Sequence, residues 1–136
     1  MFSLNKKIKK YVYALVLLML TAFSFTSKAD EGLKVSYSMY FTDAGWSEWA
    51  QDNSYLLKYG FYPNAFKASV QNQPQNMSGT VQYQVNLSGT GWMDWAENGA
   101  ETGNASSNMP LEAVRVKLNG DLENNYDIYT KVLMEG

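Results

Sequence analysis

The 136-residue chain contains no cysteine and no histidine. Thiolate and imidazole zinc sites and histidine-based catalytic triads are therefore excluded. So is any disulfide framework, and a small domain must then hold together by packing alone. Proline is scarce, with three residues. A long apolar run is found only at Tyr11–Phe25, about 15 residues, short of the ~20 that span a bilayer. Basic residues are few and unevenly placed. Five of the eleven (Lys6, Lys7, Lys9, Lys10 and Lys28) lie before residue 30.

Those lysines, the apolar run and the small residues Ser27 and Ala29 form the three parts of a secretory signal, with cleavage before Asp30. Residues 1–29 are thus expected to be a signal helix that is removed, leaving Asp30–Gly136 as one small domain with no stable membrane span. No cysteine follows the apolar run, which disfavours lipid attachment. The remaining six basic residues face thirteen acids, a formal net charge of −7. A phosphate-rich partner would be repelled, which argues against nucleic acid. Tyr, Trp, Asn, Gln, Ser and Gly dominate, as in a turn-rich β module.

The domain is organised by an internal repeat. Gly45-Trp46-Ser47-Glu48-Trp49-Ala50 recurs as Gly91-Trp92-Met93-Asp94-Trp95-Ala96, at an offset of 46 residues, and the two copies hold all four tryptophans. Each is preceded by a period-2 strand, Val35–Phe41 and Val81–Leu87. Further strands are predicted around Phe66–Val70 and at Leu111–Leu118, the latter with a bulge near Ala113. Asn98-Gly99 marks a tight turn. Ile128–Met134 repeats the opening strand pattern. The expected architecture is all-β: unit one at about 35–80, unit two at about 81–120, and the first strand of a third unit within 126–136.

Two points stay open at this level. Tryptophans three apart share a face on a helix but oppose each other on a strand. The flanking Gly, Asp and Asn favour strands, so one indole of each pair should pack inward and the other look outward. Residues 51–65 read as a covered loop or short hairpin, with an exposed Tyr/Phe binding lip as the alternative.

The Trp motif, Asn98-Gly99 with Gly103, and Leu111-Glu112-Ala113-Val114-Arg115-Val116-Lys117-Leu118 together resemble the clostridial hydrophobic repeats with a tryptophan, the ChW repeats. Unit two is similar along its length. Unit one is similar at 35–50 and only loosely at 66–72, so 51–65 is a degenerate stretch. The resemblance implies a secreted or cell-surface protein of Gram-positive bacteria. It also implies a role in adhesion or polysaccharide binding, and no catalytic residues. Such repeats often come in threes, which implies a β-prism-like arrangement, with a β-trefoil as the alternative.

The expected function is a non-catalytic binding module with no cofactor and no metal. An exposed indole offers a flat face to a sugar ring, and nearby polar groups supply hydrogen bonds. The candidate ligand-binding residues are Trp46, Trp49, Trp92 and Trp95, with Glu48, Asp94 and Asn98. The expected partner is a polysaccharide or cell-surface macromolecule. The competing reading is a structural repeat that pairs with another chain, including self-association through the incomplete third unit. A more remote reading is a glycoside hydrolase using two of Glu48, Asp94, Glu97, Glu101 and Glu112. Calcium at Asp52-Asn53 or at Asp121 and Glu123 has no EF-hand spacing behind it.

Overall fold

The strand predicted at Val81–Leu87 is the centre of the molecule. In the computed structural model, which describes residues 32–52 and 54–130, Val81, Tyr83, Val85 and Leu87 are all buried. They alternate with polar neighbours, so one face of the strand is wholly apolar. Burying each such side chain contributes about 1.5–3 kcal/mol.

The chain forms β1 (Lys34–Phe41), β2 (Gly45–Trp46), β3 (Pro63–Gln71), β4 (Val81–Leu87), β5 (Gly91–Trp92), β6 (Ala96–Glu97), β7 (Thr102–Gly103), β8 (Leu111–Leu118) and α1 (Gly120–Asn125). All pairings are antiparallel. One sheet has the order β2-β1-β3-β7. In the other, β5 and β6 follow one another along one edge of β4, and β8 takes its other edge. The all-β expectation holds. The six-residue α1 was not expected, because so short a segment with one apolar residue has no helical periodicity to read. That residue, Leu122, is fully buried in the core.

The repeat is structural as well as sequential. β1, β2 and β3 correspond to β4, β5 and β8. Tyr40 opposes Trp46 as Asn86 opposes Trp92. The long pairs also share an irregularity. The register slips between Tyr40 and Phe41 in unit one and between Asn86 and Leu87 in unit two. The unpaired extra residues are Asn64 and Glu112, one before the alanines Ala65 and Ala113, which confirms the bulge expected near Ala113.

The two sheets share one core. Phe66 and Ala68 of β3 join the four apolar residues of β4, with Leu118 and Leu122. Phe66 meets Tyr83 edge to face, ring centroids 5.3 Å apart. The units are also stitched together by backbone. After the Asn98-Gly99 turn, where both residues have positive φ, unit two crosses to the first sheet. There β7 pairs with β3, Ala65 opposite Gly103. Asn104 N–H donates to the Asn64 carbonyl at 2.9 Å, and the Asn64 side chain donates to the Ser107 carbonyl.

Around α1, the Ser78 N–H and hydroxyl both donate to one Asp121 carboxylate oxygen, at 2.7 and 2.8 Å. These bonds hold the Asp121 carboxyl below its ordinary range. Asp52 likewise accepts the Val35 N–H at 3.0 Å. The two aspartates considered for calcium thus serve the backbone.

The predicted signal helix and residues 131–134 of the third-unit strand lie outside the described residues. Ile128, Tyr129 and Thr130, its beginning, are described and belong to no strand. Tyr126 and Ile128 pack against the core as partly buried side chains. Among the described residues no helix is long and apolar enough to cross a membrane.

Candidate functional site

The tryptophans are placed by a second irregularity, this one inside the repeated motif. From Tyr40 back to Tyr37 the first sheet advances three residues on β1. The returning chain, from Trp46 to Ala50, takes four. Unit two does the same between Asn86/Trp92 and Tyr83/Ala96. One extra residue inverts the side-chain alternation from that point on. The expectation that one indole of each pair packs inward is therefore corrected: the bulge brings both onto the same outer face of their sheet. Trp46 is half-buried, and Trp49, Trp92 and Trp95 are 47 %, 39 % and 45 % exposed.

The bulge displaces a carbonyl from the ladder, and the same device serves it in both units. Ser38 Oγ donates to the Ser47 carbonyl at 3.0 Å, and Gln84 Nε2 to the Met93 carbonyl at 2.9 Å. Both polar side chains are buried, where an unmet partner would cost about 1–3 kcal/mol. The backbone on either side is also matched. Ser47 N–H donates to Met39, and Met93 N–H to Val85, each at 2.8 Å.

Every indole carries a cation. In unit two the Arg115 guanidinium carbon lies 3.8 Å from the Trp92 ring centroid, and Lys117 Nζ lies 4.3 Å from that of Trp95. Arg115 opposes Gln84, and Lys117 opposes Gln82, so the two cations stand on one face of β8. In unit one Lys67 opposes Ser38. The place of Lys117 is taken there by Ser69, which opposes Ser36 as Lys117 opposes Gln82. Lys67 serves both indoles, at 4.0 Å from Trp46 and 5.1 Å from Trp49. Tyr40 adds an edge contact to Trp46 at 5.6 Å. Each cation–π contact contributes about 0.5–1 kcal/mol at an exposed site. Each also occupies ring face that a ligand would otherwise use.

Glu48 and Asp94 lie in the bulges, between the indoles of their pair, and are exposed. The Asp94 carbonyl accepts the Thr102 hydroxyl at 3.1 Å. Asn98 stands beyond the end of β6. The turn itself accounts for it, since φ is +47° there and Asn tolerates that region. Of the other acids considered for hydrolysis, Glu97 accepts from Thr80 Oγ1 at 2.9 Å and Gln82 Nε2 at 3.1 Å. The Gln82 bond first, then that from Thr80, holds its carboxyl below the ordinary range. Glu101 accepts the Ala105 N–H at 3.4 Å. Glu112 is exposed at the β8 bulge.

Lys67, Arg115 and Lys117 were not singled out in the sequence. Their alternation against Val114, Val116 and Leu118 marks Arg115 and Lys117 as outward. Nothing local says that a tryptophan some twenty residues upstream lies beside each. The aromatic stretch after Ala50 corrects a second expectation. It is not a covered loop: Tyr55, Leu57, Tyr59, Phe61 and Tyr62 are all exposed.

Residues 86–120 match the family described as Clostridial hydrophobic W, ChW. Comparison with curated proteins and with solved structures gave no match. The matched stretch runs from within β4 to the start of α1 and contains the Trp92/Trp95 bulge with both of its cations. The chain carries a ChW repeat at residues 86–120.

Proposed function

We propose that this chain is a secreted, non-catalytic binding module for polysaccharide, acting in the medium or at the cell surface through its Trp and Tyr surfaces. The observation that carries this reading is the placement of the indoles. A bulge repeated in both units holds on the outer faces four large apolar rings that a purely structural role would bury. Glu97 does not suit the role of a glycosidase acid. A glycosidase acid needs a raised pKa, whereas Glu97 is shifted down. Secretion rests on the N-terminal sequence pattern, and a neutral glycan suits the net charge of −7 carried by Asp30–Gly136.

One experiment on the exported protein tests both halves. Protein recovered from the medium is expected to have the mass of a chain starting at Asp30. It is also expected to be retarded in native gels containing a neutral polysaccharide from the panel dextran, mannan, xylan and mixed-linkage β-glucan. Retention of residues 1–29 would sink the secretion half. Unaltered migration in every gel would sink the binding half.

A second reading, a repeat that pairs with another chain, is favoured by one observation. The β3 edge is covered by β7. The corresponding edge of β8 pairs with no strand among the described residues. A free edge accepts a strand, and a following repeat that adds one as unit two does would build the prism-like arrangement. On this reading the sedimentation coefficient should rise with protein concentration over the micromolar range. A constant monomer value removes self-association.

A further inference from the structure

The aromatic stretch that follows Ala50 differs from its counterpart in unit two. In unit two the residues between β6 and β8 turn inward, add β7 to the first sheet and bury Thr102. In unit one the residues between Ala50 and β3 form no strand among those described. They are nevertheless held at both ends. The Tyr37 hydroxyl donates to the Ser54 carbonyl, and the Thr42 N–H donates to the Tyr62 carbonyl at 3.0 Å. A Phe61 N–H bond to the Lys58 carbonyl at 3.2 Å closes a turn between these anchors. The same frame thus serves a cross-sheet strand in one unit and a tethered display of rings in the other.

What is displayed is nearly uncharged. Tyr55, Tyr59 and Tyr62 are 61 %, 78 % and 69 % exposed. The only charged side chain from 54 to 62 is Lys58. Its ammonium donates to the Ala44 carbonyl at 3.3 Å and lies 5.5 Å from the Phe61 ring centroid. The ring–ring contacts among the described residues are Tyr40–Trp46 and Phe66–Tyr83, so the three tyrosines do not stack on one another. Each indole has a cation over its ring; among the described residues the cation contacts fall on the indoles and on Phe61.

We infer that Tyr55, Tyr59 and Tyr62 are the principal glycan-contacting surface of this module and take an uncharged polysaccharide chain by stacking on its sugar rings, while the indoles, each with a cation over its ring, contribute less. This rests on the polysaccharide reading above and narrows it. Free aromatic faces with hydroxyls at their edges meet both the C–H face and the polar rim of a pyranose. An anionic bilayer or nucleic acid would need several basic groups, and Lys58 is alone and engaged. A tight protein interface would centre on a packed apolar anchor, and these exposed rings make no ring–ring contact with one another.

The test compares two double variants of the exported protein in gels containing the neutral polysaccharides above. One is Tyr59→Ala/Tyr62→Ala, the other Trp92→Ala/Trp95→Ala. Circular dichroism and melting temperature check that each remains folded. The tyrosine variant is expected to bind at least tenfold more weakly than the wild type, and the tryptophan variant to lose less, about threefold. Loss of binding in the tryptophan variant with the tyrosine variant unaffected overturns this assignment and leaves the polysaccharide reading standing. Equal retardation of all three proteins overturns it as well. A wild type that no polysaccharide retards removes both, including the case in which the tyrosines instead capture a protein. Should the tryptophan variant not fold, Arg115→Ala/Lys117→Ala replaces it, with unchanged binding expected.

Discussion

Replacing Tyr83 by alanine is expected to cost about 3–5 kcal/mol, the range for removing a buried aromatic ring. That is a large part of the roughly 5–15 kcal/mol that holds a domain folded. Tyr83 is fully buried in the central strand. It packs edge to face on Phe66, so it joins β4 to the other sheet. Its hydroxyl donates to the Ala100 carbonyl at 2.6 Å, fixing the turn that leads into β7. Burial also pushes its phenol up from the ordinary value. The folded state therefore favours the protonated ring. That contribution is complete below the ordinary tyrosine range and is lost as pH rises through the folded value. Urea unfolding followed by tryptophan emission measures the effect. Tyr83→Phe, which keeps the ring, should lose only about 1 kcal/mol. A Tyr83→Ala midpoint close to that of Tyr83→Phe would show that the ring does not join the sheets.

The second large effect is expected at Gly79, which no pattern in the sequence marks. Its φ is +128°, and an added Cβ would stand 2.2 Å from the Asn119 carbonyl oxygen. That carbonyl cannot easily retreat. Asn119 N–H donates to Thr80 at 3.1 Å, and Asn119 Oδ1 accepts the Thr80 N–H at 2.6 Å. The segment before β4 and the start of α1 are thus locked face to face. Strain at such a φ together with overpacking should make Gly79→Ala cost about 3 kcal/mol. The melting temperature should then fall by about 10–20 °C. Gly45→Ala is the control, because its φ is also positive, +79°, but nothing lies within 4 Å of the added carbon. It should cost about 1–2 kcal/mol. Equal melting temperatures for the two variants would show that the contact between Gly79 and Asn119 yields without cost.

Both variants act where the two repeats are joined, and neither touches the exposed tyrosines or the indole faces. They separate stability from binding. A binding loss in Tyr59→Ala/Tyr62→Ala at unchanged melting temperature could not be ascribed to the loosening that Tyr83→Ala produces.

The four long strands, the main turns and the repeat were legible in the sequence alone. Val81 to Leu87 alternates without exception, and a half-buried strand is the structure that satisfies such a pattern. Asn98-Gly99 supplies two residues that accept positive φ, so the tight turn follows locally. The Gly-Trp-x-acid-Trp-Ala phrase recurs at a fixed offset, so the two units share a frame. Only the tertiary structure decided which way the tryptophans face. A strand of unbroken alternation would have opposed them. The extra residue that reunites them is visible only once the returning chain is laid against β1 or β4, and it is kept there by Ser38 and Gln84. The cations came from β3 and β8, far along the chain, through sheet register. The Tyr59 region was decided in the same way. An aromatic loop is covered or exposed according to what lies over it, and here nothing among the described residues does. Periodicity is local and is written in neighbouring residues, whereas register, bulges and coverage depend on which distant segments meet.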